Sequence, residues 1–119
     1  MPEEGLSLVD LELERLREWR RYLEDPLRYA RRMREVARRV DPEARVILYG
    51  SRVSGEARPD SDVDVLVVTR VAGDAWARAR LRVEIAREIG DYTPFEIHIV
   101  TPEEFERWYG RFIGDHIEA

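Results

Sequence analysis

The sequence contains no cysteine, lysine, asparagine or glutamine. Without cysteine there is no disulfide, no zinc–thiolate centre and no thiol nucleophile. Without lysine there is no Schiff base or lysyl-AMP intermediate, and no glycine-rich turn can act as a Walker-type phosphate loop, which needs its lysine. All twenty basic residues are therefore arginine. A charge-rich composition without thermolabile amides fits a thermophile, and the arginine bias fits a GC-rich genome equally well. No apolar run reaches membrane length and no signal-like segment opens the chain, so a cytoplasmic protein without membrane contact is expected.

What is present reads as one domain spanning residues 1–119, short for an enzyme that must also hold a large substrate, which hints at a partner. The net charge of −5 argues against general nucleic-acid binding. Residues 26–40 run the other way: six arginines (Arg28, Arg31, Arg32, Arg34, Arg38 and Arg39) face Glu35 alone, a local charge of +5. Such a run is commonly a solvated helix face; the functional alternative is a surface for a nucleotide, RNA or an acidic partner.

Periodicity places two helices first, over residues 1–40, and a strand-turn-strand core with a C-terminal helix over 41–119. Ser7 and Asp10 form a capping pair for a helix from Leu8 to Glu24, with Val9, Leu13, Leu16, Trp19 and Leu23 at helical spacing. Asp25-Pro26 starts a second helix to about Val40, striped by Tyr29, Met33, Val36 and Val40. Val46 to Tyr49 and Val63 to Val68 are short apolar runs bounded by turn residues, hence buried strands. Gly73-Asp74 opens a helix to Ile89, with Ala77, Leu81, Ile85 and Ile89 on one side and Gly90 as terminator. Phe95 to Val100 alternates, so Glu96 and His98 share a face. Thr101-Pro102-Glu103-Glu104 is a helix start, followed by the aromatic stripe Phe105, Trp108, Tyr109 and Phe112. That stripe either packs on the sheet or forms a partner interface.

The chemistry concentrates between the two apolar strands. Asp62 and Asp64 are two apart on a strand and project side by side. At roughly 6 to 7 Å two carboxylates repel by about 2 to 3 kcal/mol in an effective dielectric of ~20. A cation between them removes that cost. Oxygen ligands without cysteine favour a hard ion, Mg²⁺ or Mn²⁺. Twelve residues before Asp62, Gly50-Ser51-Arg52 supplies close backbone approach, a hydroxyl and a fixed cation, which suit an anion. A phosphate cradle beside metal carboxylates is what phosphoryl or nucleotidyl transfer requires.

Gly50-Ser51-Arg52-Val53-Ser54-Gly55 followed by Ser61-Asp62-Val63-Asp64 resembles the signature of the DNA polymerase β nucleotidyltransferase superfamily, in particular its minimal nucleotidyltransferase (MNT) branch. The resemblance implies a small α/β domain of the α+β kind. It would have a mixed sheet of three or four strands with helices packed mainly on one face, as in the polymerase β palm; the two N-terminal helices read from periodicity add a helical hairpin. It also implies a third carboxylate on a later strand, usually aspartate in the family; Glu96 holds the matching position. Asp62, Asp64 and Glu96 would hold Mg²⁺ or Mn²⁺, while Gly50, Ser51, Arg52 and Ser61 would bind the phosphates of a nucleoside triphosphate.

The leading functional expectation is AMP transfer from ATP to a hydroxyl of a protein partner, as in MNT antitoxins that silence HEPN-family toxins. Nucleotidylation of a small molecule and a non-catalytic partner-binding module of the same fold are the alternatives. A homo-oligomer is left open.

Overall fold

The computed structural model describes residues 7–50, 62–111 and 114–119. Helix α1 spans Leu8–Glu24 and begins with the expected reciprocal cap, in which the Asp10 N–H donates to the Ser7 hydroxyl and the Ser7 N–H donates to the Asp10 carboxylate. Asp25 then caps α2, Pro26–Arg38, with Pro26 in the first turn where its missing N–H costs nothing. The helix ends two residues before the expected limit. Arg39 and Val40 donate to carbonyls only three residues back, so the last turn tightens, and Pro42 disfavours helical backbone at Asp41. Val40 consequently leaves the apolar stripe and is 60% exposed.

Strand β1 is Arg45–Tyr49, β2 is Val63–Val68, and β3 is Phe95–Val100. A 3₁₀ turn, Arg70–Gly73, precedes α3, Ala75–Ile89; the sequence pattern does not announce it. Asp74 caps α3 by accepting from the Trp76 N–H. The helix stops at Gly90, whose φ of +115° favours glycine and whose missing side chain leaves room for the Tyr22 hydroxyl. That hydroxyl donates to the Ile89 carbonyl at 2.6 Å, tying α1 to the end of α3.

The sheet runs β3-β2-β1-β4, mixed as expected: β1 is antiparallel to β2 and β2 is parallel to β3. The fourth strand, β4 at His116–Glu118, pairs antiparallel with β1 and has no counterpart in the expected elements. Alternation assigns the two faces. Val46 and Leu48 of β1, Val63, Val65 and Val67 of β2, and Phe95 and Ile99 of β3 are buried against the helices together with Met33, Val36, Leu81 and Ile85. Each such side chain contributes about 1.5 to 3 kcal/mol when fully buried. Tyr22, Tyr29 and Phe95 close one end of this core with ring centroids 4.7 to 6.0 Å apart.

The other face carries a smaller apolar group, Ile47, Leu66, Val68 and Val100, partly covered by Phe105 and Tyr109. Those aromatics follow α4, Pro102–Glu104, which opens with the expected capping box from Thr101 and continues as a π-helical turn over Phe105–Tyr109. Of the aromatic stripe, Phe105 and Tyr109 pack on the sheet and Trp108 is 59% exposed; Phe112 lies outside the described residues. No helix among the described residues is long and apolar enough to cross a membrane.

Candidate active site

Two registers build the site. Tyr49 of β1 stands opposite Asp64 of β2, and Asp64 stands beside Glu96 of β3, with Leu66 beside His98 one step further along. Paired residues point to the same side of a sheet, and the intervening valines are buried against the helices. Asp64, Glu96 and His98 therefore all project from the face that α1 to α3 leave open. Their ligand atoms lie within 4.8 Å of one another. The His98 Nε2 is 3.5 Å from a Glu96 carboxylate oxygen, and the imidazole tilts against the Tyr109 ring at 6.3 Å between centroids.

Electrostatics at this point are frustrated. Burial raises the Asp64 pKa, and the neighbouring negative charge of Glu96, a hydrogen bond with it and the charge of Asp62 add to the rise, against a smaller pull from His98. The Tyr49 phenol is pushed up to about 12 by burial first and by Asp64 next. A half-buried carboxylate beside a second carboxylate is a group that a cation would relieve, and oxygen and imidazole donors on one face suit a divalent ion.

Of the residues singled out from the sequence, Gly50, Asp62, Asp64 and Glu96 are described; Ser51, Arg52 and Ser61 lie outside the described residues. Gly50 ends β1 with φ +92°, and a β-carbon there would run into the Asp64 carboxylate. Asp62 precedes β2 and is exposed, outside the group of donors that converge. Glu96 is in register with Asp64. His98 and Tyr49 join the site without having been assigned to it; the alternation of β3 had already put His98 on the Glu96 face. A groove of about 360 Å³ between α2 and α3, lined in part by Val36, Arg39, Val40 and Leu81, lies on the helical side and takes no part in this cluster.

The chain's relatives bear on what such a face does. A crystal structure described as a candidate nucleotidyltransferase is 30% identical, covers 75% of this chain and 95% of its own, and superposes with a TM-score of 0.63. A second, from Sulfolobus solfataricus and similarly described, is 19% identical over 89% of this chain and 83% of its own, with a TM-score of 0.53; at that identity it speaks to fold alone. No match was found among curated proteins. The family model described as a nucleotidyltransferase domain matches residues 30–114, which takes in both carboxylate-bearing strands and the helix that follows them. That span is well over half of the sequence, and the chain belongs to the nucleotidyltransferase domain family.

Proposed function

We propose that the protein transfers AMP from ATP to a hydroxyl group on a protein partner, in a Mg²⁺- or Mn²⁺-dependent reaction at Asp62, Asp64 and Glu96. The observation that carries this reading is the Asp64–Glu96 register pair on the open face of the sheet, next to a segment that presents Trp108 to solvent. The carboxylates would hold a divalent ion, which when bound would neutralise phosphate charge and ease deprotonation of a nearby hydroxyl. Gly50 leaves the approach to Asp64 clear, and Ser51, Arg52 and Ser61 are assigned to the phosphate tail. The acceptor hydroxyl loses its proton near the carboxylates and attacks the α-phosphorus in line. One O–P bond forms as the α–β bridge breaks, and pyrophosphate leaves.

An exposed tryptophan beside a carboxylate site favours a macromolecular acceptor, because large aromatic side chains contribute heavily to protein interfaces. A helical HEPN-family protein is the partner that the family resemblance implies. The test is incubation with α-labelled ATP, Mg²⁺ and the product of the neighbouring gene. Label on that protein, lost in Asp64→Asn, supports the proposal. Label appearing only on a small hydroxylated acceptor moves the assignment to small-molecule nucleotidylation, and a partner neutralised equally well by Asp64→Asn makes the domain a binding module.

A further inference from the structure

We infer that His98 is a nitrogen ligand of the divalent ion, so that the site is a mixed carboxylate and imidazole site that selects a first-row transition ion such as Mn²⁺ over Mg²⁺. The inference rests on the metal-dependent transferase reading and adds a ligand to it.

Three observations support it. First, the parallel register of β2 and β3 sets Glu96 beside Asp64 and His98 beside Leu66, and all four share the open face. His98 is thus one step along the same row of side chains. Second, the donor atoms of Asp64, Glu96 and His98 all fall within 4.8 Å of one another. Donors around one octahedral ion at ~2.2 Å stand ~3 Å apart when adjacent and ~4.4 Å apart when opposite. Glu96 and His98, at 3.5 Å, already stand near the adjacent spacing, and no pair among the three exceeds the opposite spacing by more than about 0.4 Å. Third, the His98 Nε2 stands 3.5 Å from a Glu96 carboxylate oxygen, long for a hydrogen bond and ordinary for two ligands flanking a cation. The ring is half-buried and leans on Tyr109, which limits where its nitrogens can point.

Ligand chemistry then sets selectivity. Mg²⁺ demands oxygen donors and surrenders water reluctantly, whereas an imidazole nitrogen favours first-row transition ions, least strongly Mn²⁺ and more strongly the later ones.

The experiment uses the full chain loaded with Mn²⁺ and no nucleotide, so that the adenine ring contributes no nitrogen signal. Electron spin-echo modulation should show ¹⁴N coupling in the wild type, retained in His116→Gln and lost in His98→Gln, each variant first checked for folding by circular dichroism. By direct titration, His98→Asp should still bind Mg²⁺, and its Mn²⁺-to-Mg²⁺ affinity ratio should fall at least tenfold. Mn²⁺ that binds stoichiometrically, is lost in Asp64→Asn, and shows no ¹⁴N coupling in the wild type overturns the role of His98 and leaves the transferase reading standing. Failure to bind Mn²⁺ both with and without ATP overturns both.

Discussion

The backbone of Gly50 faces the Asp64 carboxylate so closely that any β-carbon at position 50 would collide with it. The same glycine has φ +92°, a region that costs an L-residue about 1 to 2 kcal/mol. Two independent demands thus fall on one position, one from the turn and one from the site. Gly50→Ala is expected to fold with a lowered melting temperature and to lose at least 100-fold in turnover, because Asp64 must move. Turnover close to wild type would show that the carboxylate has room the geometry denies it.

Asp64 itself trades stability for chemistry. Its carboxyl titrates above the ordinary range because burial and then Glu96 disfavour the charge. A carboxylate with a raised folded-state pKa weakens the fold once ionised, and the penalty is relieved as pH falls through that value. Asp64→Asn should therefore raise the melting temperature in EDTA at neutral pH while abolishing transfer. Saturating divalent metal should stabilise the wild type and not the variant. An unchanged or lower melting temperature for the variant in EDTA would mean that the Asp64–Glu96 repulsion is already screened.

Most of the architecture was legible because the signals were local. The Ser7, Asp25 and Thr101 caps and the β2 and β3 limits are written in a few adjacent residues, and the alternation of β3 put Glu96 and His98 on one face. The misses are cases where distant contacts decide. Val40 continues the α2 stripe on paper, yet the turn into Asp41 takes it out. Strand β4 is three exposed residues, His116, Ile117 and Glu118, held by pairing with β1, and has no hydrophobic pattern of its own. Arg45 and Glu118 meet there at 2.7 Å across seventy-three residues of sequence, a contact no periodicity announces. At the site, Gly50 and the carboxylates could be found by motif. The link between Tyr49 and Asp64 could not, since it depends on the β1–β2 register.

Asp41 is a buried carboxylate away from the site, and it holds the chain together at the α2–β1 corner. It accepts from the Thr69 hydroxyl at 2.7 Å, the Glu43 and Arg70 N–H groups at 3.0 and 3.1 Å, and the Arg70 guanidinium at 3.3 Å. Burial alone would push its pKa up; these hydrogen bonds together outweigh burial and hold it below the ordinary aspartate value. A depressed folded-state pKa contributes stability that is present above about pH 4 and is lost as pH falls through the folded value. Asp41→Ala should cost roughly 3 kcal/mol at pH 7 by leaving several donors unpaired. In urea unfolding, the gap between wild type and variant should shrink at about pH 3. A gap of equal size at both pH values would assign the loss to packing instead of charge.

Two tryptophans separate folding from recognition. Trp19 is 8% exposed and belongs to the main core, so Trp19→Ala is expected to cost about 3 to 5 kcal/mol. Trp108 is 59% exposed on the π-helical turn whose neighbours Phe105 and Tyr109 grip the sheet. Its removal leaves those anchors in place, and stability should change by no more than about 0.5 kcal/mol. If the acceptor is a protein that docks over the carboxylate face, Trp108→Ala should weaken its binding at least tenfold, as the loss of an interfacial aromatic does. Binding of ATP and metal by the free domain should stay unchanged. Calorimetric titration with partner and with nucleotide reads both halves of this expectation. Full partner affinity in Trp108→Ala would move the docking surface away from the aromatic segment and leave the basic face of α2, with its run of arginines, as the next region to vary.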